Sequence, residues 1–398
     1  MKKTPMIKTP KGFFFSVTEA AIKKPGRKDF ALIFSEAESS IAGTFTTNAV
    51  KAAPVRICMQ KITSGRGQAI VVNSGNANAC TGRQGTKDAK DMVARVSGHL
   101  GISTALTYIC STGVIGTPLP MQRIVPAIGP LAGGLGTASL DDVAKAIMTT
   151  DTFPKIASRS IRIERKPAVI AGICKGAGMI APNMATMLCF ILTDIAIEKN
   201  TLQAALRSSV KKSFNRITID GDMSTNDTAL VMANGILGNK PLTKNSPAFP
   251  SFQKALDDLT YELSRLIVKD GEGATKLIEV FVKNARNEDD AEKAALAIAN
   301  SSLVKTAIYG NDANWGRIMA AAGYSKAKFD PEKADIFFNK VQVVRKGVMN
   351  NEDKEATKEI KNKELKITVD LHAGKASAKV LTCDLTEDYI RINAEYRT

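Results

Sequence analysis

The longest apolar run in this chain, residues 184–192, is nine residues long and contains a threonine. A bilayer-spanning helix needs about 20 apolar residues, so this run cannot form one. It follows a loop rich in Gly, Pro and Asn, Lys175-Gly176-Ala177-Gly178-Met179-Ile180-Ala181-Pro182-Asn183-Met184. A short, continuous apolar run bounded by breakers fits a β-strand over 186–193 covered on both faces. Such a strand needs a sheet with layers packed above and below it. Other runs of strand length lie at 30–34, 68–72, 107–110, 168–174 and 277–282. Helical spacing marks the stretches between them. Thr86 is the expected N-cap of a helix carrying Ala89, Met92, Val93, Val96 and Leu100 and ending at Gly101. Further helices are expected from Ser139 to Met148, through Leu202, Ala205, Leu206 and Val210, through Phe252, Leu256, Leu259, Leu263 and Leu266, and over 291–299. From about 336 the chain reads as lysine-rich strands with a charged insertion near 350–363. No fixed-period repeat is present. The expected class is α/β or α+β, with layered sheets and helices.

Charge and cysteine usage narrow the function. The 398 residues carry 55 Lys and Arg against 39 Asp and Glu, a net charge of +16. The lysines are spread out, and their densest region, 345–366, interleaves them with acids. With one Trp and 6% aromatics, no basic run is laced with stacking residues. That argues against a nucleic-acid partner and suits anionic small substrates. The basic N-terminus is followed by an apolar stretch over 13–17, too short and too late for a secretory signal. The expectation is a cytoplasmic protein with no membrane segment. Six scattered cysteines without a CxxC pair, and two histidines, His99 and His372, give no zinc cluster. No metal is expected, and the cysteines read as buried thiols of a reducing compartment. So few histidines also weigh against a Ser-His-Asp or Cys-His mechanism.

A threonine at the start of a buried strand offers another chemistry. A hydroxyl is a weak nucleophile without a base. If Thr186 were the first residue of a chain, its own α-amine, of ordinary pKa about 7.7–8.0, would serve. A chain creates that terminus by attack of the Thr hydroxyl on the preceding carbonyl, an N-to-O acyl shift and hydrolysis of the ester. The residue before must be small, and Ala185 is. Acyl transfer also needs oxyanion donors, which the Ser111-Thr112-Gly113 turn offers as backbone N–H groups. Lys175 lies on the same loop as Thr186. Asp270-Gly271-Glu272-Gly273 sets carboxylates on a glycine loop between a helix and a strand. Each of these alone is an ordinary turn or loop, and an Ala-Thr pair by itself means nothing.

In combination they resemble the ornithine acetyltransferase family of arginine biosynthesis, also called glutamate N-acetyltransferase. The likeness runs in order through Thr46-Thr47-Asn48-Ala49-Val50-Lys51-Ala52-Ala53-Pro54, Asn73-Ser74-Gly75-Asn76-Ala77-Asn78-Ala79-Cys80-Thr81-Gly82, Ser111-Thr112-Gly113-Val114-Ile115-Gly116 and the loop from Lys175 to Leu188. It continues in Ile219-Asp220-Gly221-Asp222-Met223-Ser224-Thr225-Asn226-Asp227-Thr228, Asp270-Gly271-Glu272-Gly273-Ala274-Thr275-Lys276, Gly310-Asn311-Asp312-Ala313-Asn314-Trp315-Gly316-Arg317 and the terminal segment 389–398. The insertion near 350–363 is outside the likeness.

The resemblance implies an N-terminal-nucleophile-like core with a smaller C-terminal α/β domain. It implies self-cleavage between Ala185 and Thr186 into an alpha subunit, 1–185, and a beta subunit, 186–398. These stay together, as a heterotetramer of two alpha and two beta. It implies Thr186 as nucleophile and acetyl carrier, the Thr112 and Gly113 backbone as oxyanion hole, and substrate contacts from Thr152, Lys175, Thr186, Glu272, Asn393 and Thr398. The implied reaction moves the acetyl group of N-acetylornithine through Thr186 to glutamate, without cofactor. Some members also take acetyl-CoA as donor, and the bifunctional assignment is the one adopted. A self-processing aminopeptidase or amidase with the same core is the alternative. Glu272 and the C-terminal residues speak against it, because they match the transferase's amino-acid pocket.

Overall fold

The computed structural model describes residues 7–181, 187–350 and 353–395. Ala185, Thr186 and Thr398 lie outside the described residues. The chain divides into two compact units, and each takes residues from both sides of position 186.

The larger unit draws on Met1–Gly176, Asn183–Asn215 and Met223–Ile267. Its strands are β1 (Phe13–Thr18), β2 (Phe30–Phe45), β3 (Arg66–Asn73), β4 (Thr107–Ser111), β5 (Lys155–Ile163), β6 (Lys166–Lys175), β7 (Leu188–Thr193) and β8 (Thr228–Ala233). Its helices are α1 (Ala53–Lys61), α2 (Gly82–Leu100), α3 (Met121–Gly133), α4 (Leu140–Ala146), α5 (Lys199–Lys212) and α6 (Phe249–Lys269), whose last two residues pass into the smaller unit. The strands form one sheet in the order β4-β3-β2-β8-β7-β6-β5, with β1 on the first half of β2. The long β2 changes neighbours on one edge, where Phe30–Ser35 pair with β1 and Ser40–Phe45 with β8, while β3 pairs with the other edge over Phe30–Phe34 and Ser39–Ser40.

All six residues of β7 and of β8 are buried, as the continuous apolar run requires. Leu188, Phe190 and Leu192 point into the core that holds Met92 and Val93 of α2, Ile124 and Leu131 of α3 and Val143 of α4. On the opposite face Gly172 of β6 leaves room for Leu259 and Leu263 of α6, whose side chains would stand 3.4 and 3.0 Å from a Cβ there. Each large apolar side chain so buried contributes about 1.5–3 kcal/mol. The sheet therefore lies between helical layers. β6 and β7 are antiparallel neighbours with Lys175 opposite Leu188.

The smaller unit draws on Ala177–Pro182, Arg216–Asp222 and Val268–Thr398. Its strands β9 (Leu277–Ala285), β10 (Asp335–Phe338), β11 (Val341–Arg345), β12 (Val348–Met349), β13 (Glu364–Asp370) and β14 (Ala376–Cys383) form a sheet ordered β12-β11-β10-β13-β9-β14. Among the described residues, helices α7 (Glu288–Asn300), α8 (Ser302–Tyr309), α9 (Trp315–Tyr324), α10 (Asp353–Ile360) and α11 (Glu387–Ala394) accompany them. Ala291, Ala294, Ala295 and Ile298 of α7 share one core with Ile278, Val280, Ile367 and Val380.

Two expectations need correction. The helix expected from Thr86 starts at Gly82, with Thr81 as its N-cap. Gly85 lies in its first turn with its backbone against the Thr81 and Asn78 side chains, where a Cβ would meet oxygens at 1.8 and 2.3 Å. The charged insertion near 350–363 contains α10, whose Ala356 and Ile360 are buried in the core of the smaller unit. Among the described residues no helix is long and apolar enough to cross a membrane.

Candidate active site

In the larger unit the turn after β4 is shaped by what it crosses. Gly113 has φ +135°, and a Cβ there would lie 2.2 Å from the Gly75 carbonyl carbon and 2.4 Å from the Asn76 nitrogen. Glycine is required. The Thr112 N–H donates to the Asn73 carbonyl at 3.0 Å, so this amide is already engaged. Among the described residues neither the Gly113 N–H nor the Thr112 hydroxyl has a hydrogen-bond partner, which leaves both as donors. A buried polar network fixes the turn. The Ser111 hydroxyl donates to Asn73 Oδ1 at 2.5 Å, and Asn226 Nδ2 donates to the carbonyls of Ala77 and Ser111, both at 2.7 Å.

The neighbour of Asn226 reaches the other end of the long loop. Asp227 is fully buried, and its Oδ1 accepts from the Met187 N–H at 3.0 Å. The Ser224 and Thr46 hydroxyls stand near this carboxyl, but Thr46 spends its proton on the Ser224 carbonyl at 2.8 Å. Among the described residues Asp227 Oδ2 lacks a hydrogen bond of good geometry. Burial pushes the Asp227 carboxyl well above the usual carboxylate range, against the Met187 N–H and the positive charge of Lys175.

Lys175, itself buried, also lends its charge to Asp151. Asp151 Oδ1 accepts from Lys155 Nζ at 2.6 Å and from the Gly176 N–H at 2.7 Å, and Oδ2 accepts from the Thr149 N–H at 3.0 Å. Burial alone would raise this carboxyl, but Lys175 and Lys155 hold it at about 2. Thr152, next in sequence, is exposed. The larger unit thus gathers the Thr112–Gly113 turn, Lys175 and the residue after Thr186 around Asn226 and Asp227. Sequence reasoning singled out the turn and the lysine. It missed Asp151, Asn226 and Asp227, although the last two stood within a segment of the family likeness.

The smaller unit carries the remaining described positions. Glu272 donates its backbone N–H to the Ala177 carbonyl at 2.8 Å, and its Oε2 accepts from Asn393 Nδ2 at 2.8 Å. Glu272 and Asn393, far apart in sequence, are therefore in contact. The carboxylate lies against Gly178, where a Cβ would fall 2.3–2.5 Å from its atoms. Met179, at φ +55°, and Ile180 donate their N–H groups to Asp220, at 2.6 and 2.8 Å. Burial raises the Asp220 carboxyl against these donors. The Tyr389 hydroxyl of α11 donates to Asp220 at 3.3 Å, so the C-terminal helix is fastened to the same loop.

The sequence profile of the ArgJ family matches residues 14–398. The chain belongs to the ArgJ family. It is 54% identical over 390 residues to the "arginine biosynthesis bifunctional protein ArgJ" of Geobacter sulfurreducens, covering 98% of this chain and 99% of that protein. The protein of the same name from Caldanaerobacter subterraneus is 51% identical over 397 residues, covering 98% of each. Among solved structures, that of the arginine biosynthesis bifunctional protein from Bacillus halodurans matches with a TM-score of 0.50 at 45% identity. It covers 52% of this chain and 97% of its own.

Proposed function

We propose that this ArgJ-family chain is a self-cleaving acetyltransferase of arginine biosynthesis that moves the acetyl group of N-acetylornithine to glutamate through Thr186. The observation that carries the reading is the near-complete match to ArgJ proteins, joined to a buried set of donors and charges next to residue 187. The Thr186 hydroxyl attacks the acetyl carbonyl while its α-amine takes the proton. The Gly113 N–H and the Thr112 hydroxyl stabilise the oxyanion. Ornithine departs as the acetyl C–N bond breaks and the amine returns the proton. Glutamate then attacks the threonine ester. Lys175 pairs with the α-carboxylate common to both amino acids. Glu272, held by Asn393, pairs with the distal ammonium that ornithine alone carries, and Thr152 and Thr398 complete the substrate contacts.

Self-cleavage before Thr186 gives pieces of 185 and 213 residues. The solved relative's chain, matching 52% of this one while itself 97% covered, has the length of one such piece. The pieces stay together because β6 of the first pairs with β7 of the second, and β2 with β8. They act as a heterotetramer in the cytoplasm, with acetyl-CoA as a second donor to glutamate. The test is incubation of purified protein with glutamate plus either N-acetylornithine or acetyl-CoA. The reading expects N-acetylglutamate from both donors. Acetate release without transfer would make the protein the amidase instead.

A further inference from the structure

In the smaller unit, α11 reaches the Glu272 carboxylate, yet none of its eight residues is buried and its Ile390 is 66% exposed. So short a helix is not stable alone, and apolar burial does not hold this one in place. Polar ties do. Thr386 caps the helix: its hydroxyl donates to the Gly273 carbonyl at 2.8 Å and accepts from the Tyr389 N–H at 3.4 Å. Gly273, at φ +69°, lacks a Cβ that would lie 2.6 Å from the Tyr389 nitrogen. The Tyr389 hydroxyl donates to Asp220 at 3.3 Å. Asp220 is a fixed anchor, because the N–H groups of Met179, Ile180 and Asp222 also donate to it. Burial and the negative charges of Asp220 and Glu272 push the Tyr389 hydroxyl up, so it keeps its proton and acts as a donor. Asn393 stands four residues on, on the same side of the helix. Its Nδ2 donates to the Tyr389 carbonyl at 3.0 Å and to Glu272 Oε2 at 2.8 Å.

We propose that Tyr389 is a positioning residue for N-acetylornithine: its hydroxyl, anchored on Asp220, sets the turn of α11 at which Asn393 holds the Glu272 carboxylate for the substrate's distal ammonium. This rests on the reading of Glu272 as the partner of that ammonium. A carboxylate accepts about four hydrogen bonds, so Glu272 keeps Asn393 while it takes the ammonium. Without the hydroxyl, α11 keeps its cap at Thr386 but is free to turn beyond it, and Glu272 loses its fixed orientation. Glutamate has no distal ammonium and does not draw on this hold. By linkage, ornithine bound at Glu272 in turn steadies α11.

Tyr389→Phe removes one oxygen and keeps the ring. KM for N-acetylornithine should rise about 3–10-fold, the usual cost of one hydrogen bond, with kcat and the kcat/KM for glutamate little changed. In an Asn393→Ala background the same substitution should cost nothing further, because Tyr389 acts through Asn393. Equal losses for both substrates, additive losses in the double variant, or no loss at all would overturn the assignment. If Tyr389→Phe does not fold, the wild type decides. Trypsin cutting after the exposed Arg391 should be slowed about fivefold or more by saturating ornithine and not by glutamate, and the same rate with either would overturn the proposal. Glu272→Gln separates the two readings. If it fails to disfavour N-acetylornithine against glutamate, the ammonium pairing falls and Tyr389's role with it. If it does so and Tyr389→Phe does not, Tyr389's role alone falls.

Discussion

Gly178 and Gly113 are fixed by what lies opposite them. A methyl group at 178 would meet the Glu272 carboxylate at 2.3–2.5 Å, and a carboxylate on a flexible side chain gives way first. Gly178→Ala should displace it and break its bond to Asn393. A charged hydrogen bond is worth about 1.5–3 kcal/mol. kcat/KM for N-acetylornithine should therefore fall tenfold or more, while acetyl-CoA-driven acetylation of glutamate falls less. Parallel assays with the two donors check this, and equal losses would contradict it. Glu272→Gln removes the charge itself and should cost N-acetylornithine roughly 2–5 kcal/mol, with self-cleavage intact on a denaturing gel. At 113 the obstacle is backbone, 2.2 Å from a Cβ, and cannot yield cheaply. Gly113→Ala should slow both cleavage and transfer by ~10²–10³, the usual cost of one oxyanion donor. Normal turnover in that variant would remove the turn from the mechanism.

At the scale of elements, the Asp151–Lys155 pair ties the start of β5 to the end of β6 through Gly176. Asp151 is held at about 2 against an ordinary value near 3.8. Its contribution, roughly 2–3 kcal/mol, is fully present above the unfolded pKa of about 3.9 and is lost as pH falls through the folded value. Asp227, pushed the other way, loses stability as pH rises through its raised pKa. Urea melts at pH 7 and pH 3 should therefore show that Asp151→Asn destabilises at neutral pH, by about 3–5 kcal/mol for a broken buried pair, and flattens the acid limb. An unchanged acid limb would contradict the assignment. In α10, Ile360 is buried, and Ile360→Ala should cost about 2–5 kcal/mol in the same measurement.

Across the whole molecule, the strands with continuous apolar runs were legible, because burial on both faces leaves its mark in the sequence itself. β7 and β6 stand where such runs placed them. α10 was not legible, since two buried positions among charged neighbours make too sparse a period. α3 contains Pro126 and Pro130, residues that local rules place outside helices. Of the site, the glycine turns and Lys175 could be read from the chain. Asp151 and Asp227 could not, because what distinguishes them is a tertiary environment: buried ammonium groups for the one, complete burial for the other. The same topology predicts that the cut pieces copurify through β6–β7 and β2–β8 and separate only in denaturant. Separation under native conditions would contradict that pairing.

The central claim is that Thr186 carries the acetyl group. Purified protein incubated with N-acetylornithine alone, quenched in acid and examined by peptide mass spectrometry, tests it most directly. The account predicts a polypeptide beginning at Thr186 with one acetyl group on that residue, lost when glutamate is added. An active protein whose chain is intact at residue 186, or whose Thr186 is never acetylated, would contradict it.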